Sequence, residues 1–417
     1  MSIPPIRVQL HPTGLECGLN EFEISVQARV RRFAEQTMRP LAARLEHLEV
    51  QEVIAAGSDY WKMFDAFEQL GLTADAIFQL PSAAQGRLMA VAFEELGWGD
   101  GGLAVALGVS MVPMIVLAQG GRLDLAACYP NHKLGCWGMT DPDCGRGMFE
   151  AGGHAMYPGG RHGRVHARFE GDQIVIQGQK LFCAVNGLTA QLCILFCALD
   201  DGRGDDGKRC VVLVPLDRPG VSRGQPLDKL GQGALPQGEI FFDRVRVPRD
   251  HLVAGPDQYA VAEYSVLSEV NALMGAMFTG VARAAYEHAL AYAQQCRQDG
   301  VTLMCRQNVR HRIFHMFRKV EAARALARQT LLFNHSVMRP ALQGSIASKI
   351  TAIQTALEVV SAALQMLGGN GMSRMYPIET LLRDARASMA ADGCNELLAI
   401  KGGTLLADPA VYEEQLM

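Results

Sequence analysis

The hydrophobic pattern of this chain changes period twice, and that constrains its fold more than any single residue does. Residues 20–130 repeat apolar side chains at helical spacing, as in EFEISVQARVRRFAEQTMRPLAARLEHL and GRLMAVAFEELGWGDGGLAVALGVSMVPMIVLAQ, the second with a Gly-rich break at 99–102. From 133 to 250 the text turns to short β-rich runs separated by Gly, Asp and Pro: GRVHARFEGDQIVIQGQKLFCAVNG, AQLCILFCALD, RCVVLVPLD and GEIFFDRVRVP. Within this region DDGRGDDGK (200–208) reads as an exposed hairpin tip. From about 258 the helical period returns in long amphipathic segments, with a last helix expected from about 392. The pattern predicts an α+β multidomain chain: an N-terminal helical domain (1–132), a middle β-barrel or sandwich domain (133–255) and a C-terminal four-helix bundle (256–417). A length of 417 residues suits two or three packed lobes.

Composition narrows the function classes. Hydrophobic residues make up 49% and charged residues 20%, an ordinary globular balance. A net charge of −4 invites no nucleic acid. No apolar run is expected to reach the length of a membrane span. The start, MSIPPIRVQLHPTG, lacks a basic region followed by an apolar one, so no secretory signal is expected. The 11 cysteines are odd in number and scattered, and the closest pair, Cys193 and Cys197, sits in a strand-like run. A reduced, cytoplasmic chain with buried thiols and no metal site is the expectation.

Two local features could carry chemistry. Asp392 stands among small and apolar residues directly before Gly393. Asp-Gly is a common turn pair, so a solvated loop acid is the plain reading. In a dry, apolar pocket the same carboxylate would be a strengthened base. The run LGGNG leaves a helix through glycines, either as a plain C-cap or as bare amides suited to a pyrophosphate.

Four segments, GCWGMTDPDCGRGM (135–148), GQKLFCAVNG (178–187), GEIFFDRVRVPRDHLV (238–253) and QMLGGNGMSRMYPIETLLRDAR (365–386), occur in an order that resembles the acyl-CoA dehydrogenase family. The resemblance implies FAD as cofactor and α,β-dehydrogenation of an acyl-CoA or acyl-carrier-protein thioester. Asp392 would abstract the α proton and flavin N5 would take the β hydride. It implies Trp137, Met139, Thr140, Phe182 and Ala184 beside the isoalloxazine. Phe182 stands where the family usually has Trp, Ala184 where it often has Thr or Ser, and Arg146 where it has Ser. The strand also reads as one residue longer before Asn186.

Further carry-over from the family is positional. Gln365, Gly368 and Gly369 match residues that contact the FAD of a neighbouring subunit, which implies a homodimer or homotetramer. Arg297, in QCRQDGVTL, is the nearest match to an arginine on the FAD phosphates, although the family's aromatic is missing and a surface arginine is an equal reading. Gln307 matches a cofactor glutamine, and Cys394 and Glu396 fall at cofactor positions. Gly393 falls at the substrate, and Asp100 is either a second carboxylate facing the pocket or a turn former. Asp392 lies nine residues after Arg383, where the family normally has Glu. It is one methylene shorter, about 1.5 Å, which points to a bulky or branched acyl group. The upstream helix used by other members offers Val270, with Glu269 beside it but on another face. Arg383 and Asp384 are expected to tie the bundle together as an ion pair. The family implies an electron-transferring flavoprotein as acceptor. A flavin oxidase or monooxygenase on the same scaffold, or a catalytically silent subunit, are the alternatives.

Overall fold

The computed structural model describes residues 15, 18–130, 134–140, 165–200 and 208–408. Arg146 and most of the expected hairpin tip (201–207) lie outside them. The N-terminal part is helical: α1 (Glu21–Phe33), α2 (Arg39–Leu45), α3 (Val50–Val53), α4 (Asp59–Glu68), α5 (Ala74–Phe78), α6 (Ser82–Gly99), α7 (Gly101–Ser110), α8 (Val112–Gln119) and α9 (Leu123–Ala127). Helix α1 starts at a reciprocal cap, in which Asn20 and Glu23 each accept the other's backbone N–H. The Gly-rich break falls at Asp100. Its extended backbone ends α6, and its carboxylate accepts from Leu103 N at 2.8 Å to start α7.

The middle part is one mixed sheet built from β1 (Gly135–Gly138), β2 (His166–Glu170), β3 (Gln173–Val185), β4 (Leu192–Asp200), β5 (Arg209–Pro215), β6 (Val221–Pro226), β7 (Gln237–Pro248) and β8 (Leu252–Ala254), in the order β6-β7-β3-β2-β4-β5-β8. Strands β1 and β2 both run parallel to β4, β1 along residues 192–195 and β2 along 198–200. Strand β4 is buried on both faces. Cys193, Leu195 and Cys197 enter the core inside the β part, while Leu192, Ile194 and Phe196 join the large core shared with the helices. That explains its unbroken apolar text, since a strand covered on both sides has no reason to alternate. Between Lys180 and Ala184, β3 slips register against Ile240 and Gly238 of β7. The extra length expected before Asn186 is therefore absorbed in a bulge.

The C-terminal part contains α10 (Pro256–Gln295), the two-stranded ribbon β9 (Arg297–Gln298) and β10 (Val301–Thr302), α11 (Gln307–Ser336), α12 (Leu342–Leu367), α13 (Ile378–Ser388) and α14 (Asn395–Ala407). The last helix begins at Asn395, so Asp392 lies in the preceding turn rather than at a helix start near 392. The QCRQDGVTL stretch is a tight hairpin whose Asp299–Gly300 turn has both φ values positive, 52° and 80°. This is the geometry that Asp-Gly favours in two-residue hairpins.

The expectation of no membrane-length apolar run is corrected. Gly101–Gln119, Pro256–Gln295 and Leu342–Met372 are each long and apolar enough to cross a membrane. The apolar windows of the first two are 83% and 94% buried inside the protein. A helix surrounded by protein needs the same side chains as one surrounded by lipid.

Helix α10 crosses α6 at close range. A Cβ on Gly280 would lie 2.0 Å from Glu94 O, and one on Gly97 would lie 1.9 Å from Met277 O. Beside this crossing is a buried ion network. Arg283 donates to Glu94 and Glu95, Arg324 and Arg328 also reach Glu94, and Arg31 reaches Glu95. Trp98 donates its indole N–H to Glu287 and is sandwiched between the Arg31 and Arg39 guanidinium groups.

Candidate active site

A cavity of about 420 Å³ lies where β1, β3, the segment after β6 and the α13–α14 turn meet. Its wall includes Trp137, Met139 and Thr140 from β1 and the residues just after it, Lys180 and Ala184 from β3, Lys229 and Gln232, and Ala391, Asp392, Gly393 and Cys394. Residues more than 250 positions apart in the chain thus share one apolar-walled space, of a size suited to a small organic ligand.

The elements that place these residues are locally determined. Asn186 has φ 59° and donates Nδ2 to Ala106 O at 2.9 Å and Gly135 O at 3.2 Å, fastening α7 and β1 to the end of β3. Buried Lys180 reaches across to Phe196 O at 2.7 Å and Met139 O at 3.2 Å. On the opposite wall, α13 ends through ordinary turn bonds from Ala390 N and Ala391 N. The chain then takes two successive left-handed residues, Asp392 at φ 47° and Gly393 at φ 98°. Asp tolerates that conformation better than most residues, and Gly adopts it without steric cost.

Asp392 is the electrostatic centre of this wall. Its Oδ2 is buried and has no hydrogen-bond partner among the described residues. Burial pushes the carboxyl above its usual pKa, while Lys349 and a hydrogen bond from the Trp137 side chain pull it down. A solvated loop acid does not fit the shielded Oδ2, and the half-buried carboxylate is a base candidate. An unsatisfied carboxylate oxygen, a stacking aromatic and the Thr140 hydroxyl in one apolar cavity fit a planar, polar-edged cofactor together with an acyl substrate.

Two family profiles match the chain. "Acyl-CoA dehydrogenase, middle domain" covers residues 136–245, and "Acyl-CoA dehydrogenase, C-terminal domain" covers residues 260–401. Together they span about three fifths of it. The chain belongs to the acyl-CoA dehydrogenase family. A probable acyl-CoA dehydrogenase of Bacillus subtilis is 27% identical over 383 residues, 89% of this chain and 94% of the relative. A cyclohex-1-ene-1-carbonyl-CoA dehydrogenase of Geobacter metallireducens is 28% identical over 357 residues, 83% of this chain and 89% of that one. Butyryl-CoA dehydrogenase from Megasphaera elsdenii has the same fold, with a TM-score of 0.81 at 22% identity, covering 94% of this chain and 100% of that one. As an acyl-CoA dehydrogenase family member the protein is an FAD-dependent oxidoreductase.

The acyl-CoA dehydrogenase frame sorts the remaining site residues. Phe182 lies on β3, within the bulge, and its side chain is outside the described set. Asp100 is not among the cavity-lining residues, because its carboxylate is spent on capping α7. It lies near Asp384 and Glu46, and burial raises it to about 6. Glu269 faces His335 at 3.2 Å rather than the cavity, as expected of a residue on another helix face. Arg297, Gln307, Gln365, Gly368 and Gly369 are exposed on the single chain and stand outside the cavity. The Gly368–Met372 turn is joined to the end of α10 by Asn370 Nδ2 donating to the Tyr292 hydroxyl at 2.9 Å. This brings the glycine turn beside the helix end that leads into the Arg297 hairpin. Cys394 lines the cavity and donates to Glu396, itself exposed in the first turn of α14.

The ion pair expected between Arg383 and Asp384 is corrected. Arg383 binds Glu46 and Glu379, whereas Asp384 accepts from Gln232 N. Neighbouring residues on a helix point about 100° apart, so one faces out and the other in. Sequence reasoning missed Lys229, Gln232 and Lys349. The first two follow β6 in text that resembles any loop. Lys349 did leave a signal, a lone cation on the buried stripe Ile346, Lys349, Ile353, Ala356 of α12.

Proposed function

We propose that this protein catalyses α,β-dehydrogenation of an acyl-CoA thioester, with Asp392 taking the α proton. The half-buried Asp392 on the cavity wall, with its Oδ2 shielded and unpartnered among the described residues, carries this reading. A proton α to a thioester is a weak acid, so removing it needs a base of raised pKa and donors for the developing enolate oxygen. Burial gives Asp392 the first property. Its backbone N–H, which no backbone carbonyl accepts among the described residues, supports the second. Trp137, Met139, Thr140 and Ala184 would hold a flavin, which when bound supplies the acceptor for the β hydrogen. The cavity walls from β1 and β3 exclude water and keep the acyl chain against Asp392.

Two finer points belong to the same proposal. The shorter reach of Asp suits a bulky, branched or cyclic acyl group, and a relative named for cyclohex-1-ene-1-carbonyl-CoA supports that class. The exposed set Arg297, Gln307, Gln365, Gly368 and Gly369 is read as the face toward the cofactor of a second copy, with an electron-transferring flavoprotein as acceptor.

The test is the visible spectrum of the purified protein, followed by anaerobic addition of straight, branched and cyclic acyl-CoA thioesters. Wild type should bleach with one thioester class, and Asp392→Ala should retain its flavin without bleaching. Flavin that stays oxidised with the whole panel, or an Asp392→Ala protein that bleaches at the wild-type rate, would refute the assignment.

A further inference from the structure

We propose that Lys349 is a positioning residue for the base: from α12 its ammonium gathers the carbonyls of Ala391, Asp392 and Gly393 and so holds the turn that presents the Asp392 carboxylate to the cavity. The contacts are Ala391 O at 2.7 Å, Asp392 O at 3.2 Å and Gly393 O. An ammonium has three protons, and here each has an acceptor. Lys349 is 0% exposed, and among the described residues it forms no ion pair with a carboxylate. Desolvating a fully buried cation is costly, and even a well-made buried pair does little more than offset it. An apolar residue on the stripe Ile346, Ile353, Ala356 would close the helix interface without that cost. What the ammonium adds is the inward orientation of three successive carbonyls, and these belong to the turn with two left-handed residues. A turn of that kind opens readily unless its surroundings over-determine it.

The charge has a second effect. Burial drives Asp392 toward its neutral form, and Lys349 is the cation that opposes this. Asp392 in turn offsets part of the lowering of Lys349, which burial brings to about 8. The Trp137 side chain from β1 also acts on Asp392, and Lys180 from β3, Lys229 from the segment after β6 and Cys394 in the same turn line the same cavity.

This inference rests on Asp392 being the base, but one arm of its test does not. Amide hydrogen exchange on the protein as purified reads the turn directly. Lys349→Met should speed exchange over 389–394 by about tenfold or more, the effect of losing a buried charge-assisted hydrogen bond, with α10 unchanged. Lys349→Gln keeps two N–H donors without the charge and should stay within about threefold of wild type in exchange. In the bleaching assay both variants should move the acid limb of the pH profile to higher pH, while thioester affinity holds. Unchanged exchange over 389–394 in Lys349→Met overturns the clamp. An unmoved acid limb in Lys349→Gln overturns the electrostatic part, and serves as the deciding result if Lys349→Met does not fold. A wild type that bleaches with no thioester refutes the dehydrogenase reading alone, and exchange still decides on Lys349.

Discussion

Arg283→Met should be among the costliest single substitutions outside the cavity. Arg283 rises from α10 with a side chain 3% exposed and meets Glu94 at 2.7 Å, Glu95 at 2.5 Å and Glu287 at 3.6 Å. Without it, Arg31, Arg324 and Arg328 must serve these three acids and Glu321, which already holds Arg324. Deleting one partner of a buried pair costs about 3–5 kcal/mol, because the other charge stays buried. Unfolding entropy for a chain of this length is roughly 0.9 kcal/mol per kelvin, so Tm should fall by about 3–6 °C near pH 7. The pH dependence gives an independent check. Burial pushes Glu94 up, but Arg324, Arg283 and Arg328 together hold it well below the usual carboxylate range. Its contribution is therefore present above the unfolded value of about 4.3 and lost as pH falls. Removing Arg283 takes away one of the cations that hold Glu94 down, so its folded-state pKa rises, the folded variant binds more protons and it gains relative stability on acidification. The penalty should shrink between pH 7 and about pH 5. Adding Glu95→Gln should recover part of the loss, since it removes one carboxylate from a cluster left short of a cation. Thermal unfolding followed by circular dichroism checks all three. A Tm drop below about 1 °C, typical of a surface pair, or a penalty that grows on acidification, would refute the argument.

Gly280→Ala must move Glu94 O from 2.0 Å to an ordinary contact near 3.4 Å, so it should lower Tm markedly, whereas Gly344→Ala, with its nearest neighbour at 3.5 Å, should not. Trp137→Phe removes a donor to Asp392; the carboxyl then rises further, and the acid limb of the bleaching profile should shift to higher pH with little change at the alkaline end. For His335, burial pulls the imidazole down but Glu269 at 3.2 Å raises it overall. Its stabilisation is complete below the unfolded value of about 6.5 and fades as pH rises through the higher folded value, so His335→Gln should cost more Tm at pH 5.5 than at pH 8.5.

The two switches in period were readable because burial imposes them over long stretches, and the Gly-rich break at Asp100 was readable because few residues start a helix there. Trp137, Met139, Thr140, Ala184, Asp392, Gly393 and Cys394 were chosen from separate motifs, and they share one cavity. Residues that owe their place to chain crossing were not readable. Lys229 and Gln232 enter the wall only because Gln232 N and Nε2 are held by Asp384 and Ser388 of α13, partners more than 150 positions away. The membrane-length runs were misjudged for a related reason: α10 is wrapped by α6, α11 and α12, so its text carries little polar face to break the apolar count. Arg383 and Asp384 were paired because they adjoin in sequence, and helix geometry separates them.

The double burial of β4 has a consequence for how this protein can change. Most strands offer mutation a free face, so tolerance alternates along them. Between Leu192 and Cys197 no such face exists. Odd positions answer to one core and even positions to the other. A saturation-mutagenesis map should show β4 as an unbroken band of intolerance, in contrast to a tolerant β6, none of whose residues is fully buried. Variation in the cavity's chemistry is then channelled into the turns and loops around this strand, and seldom into the strand itself.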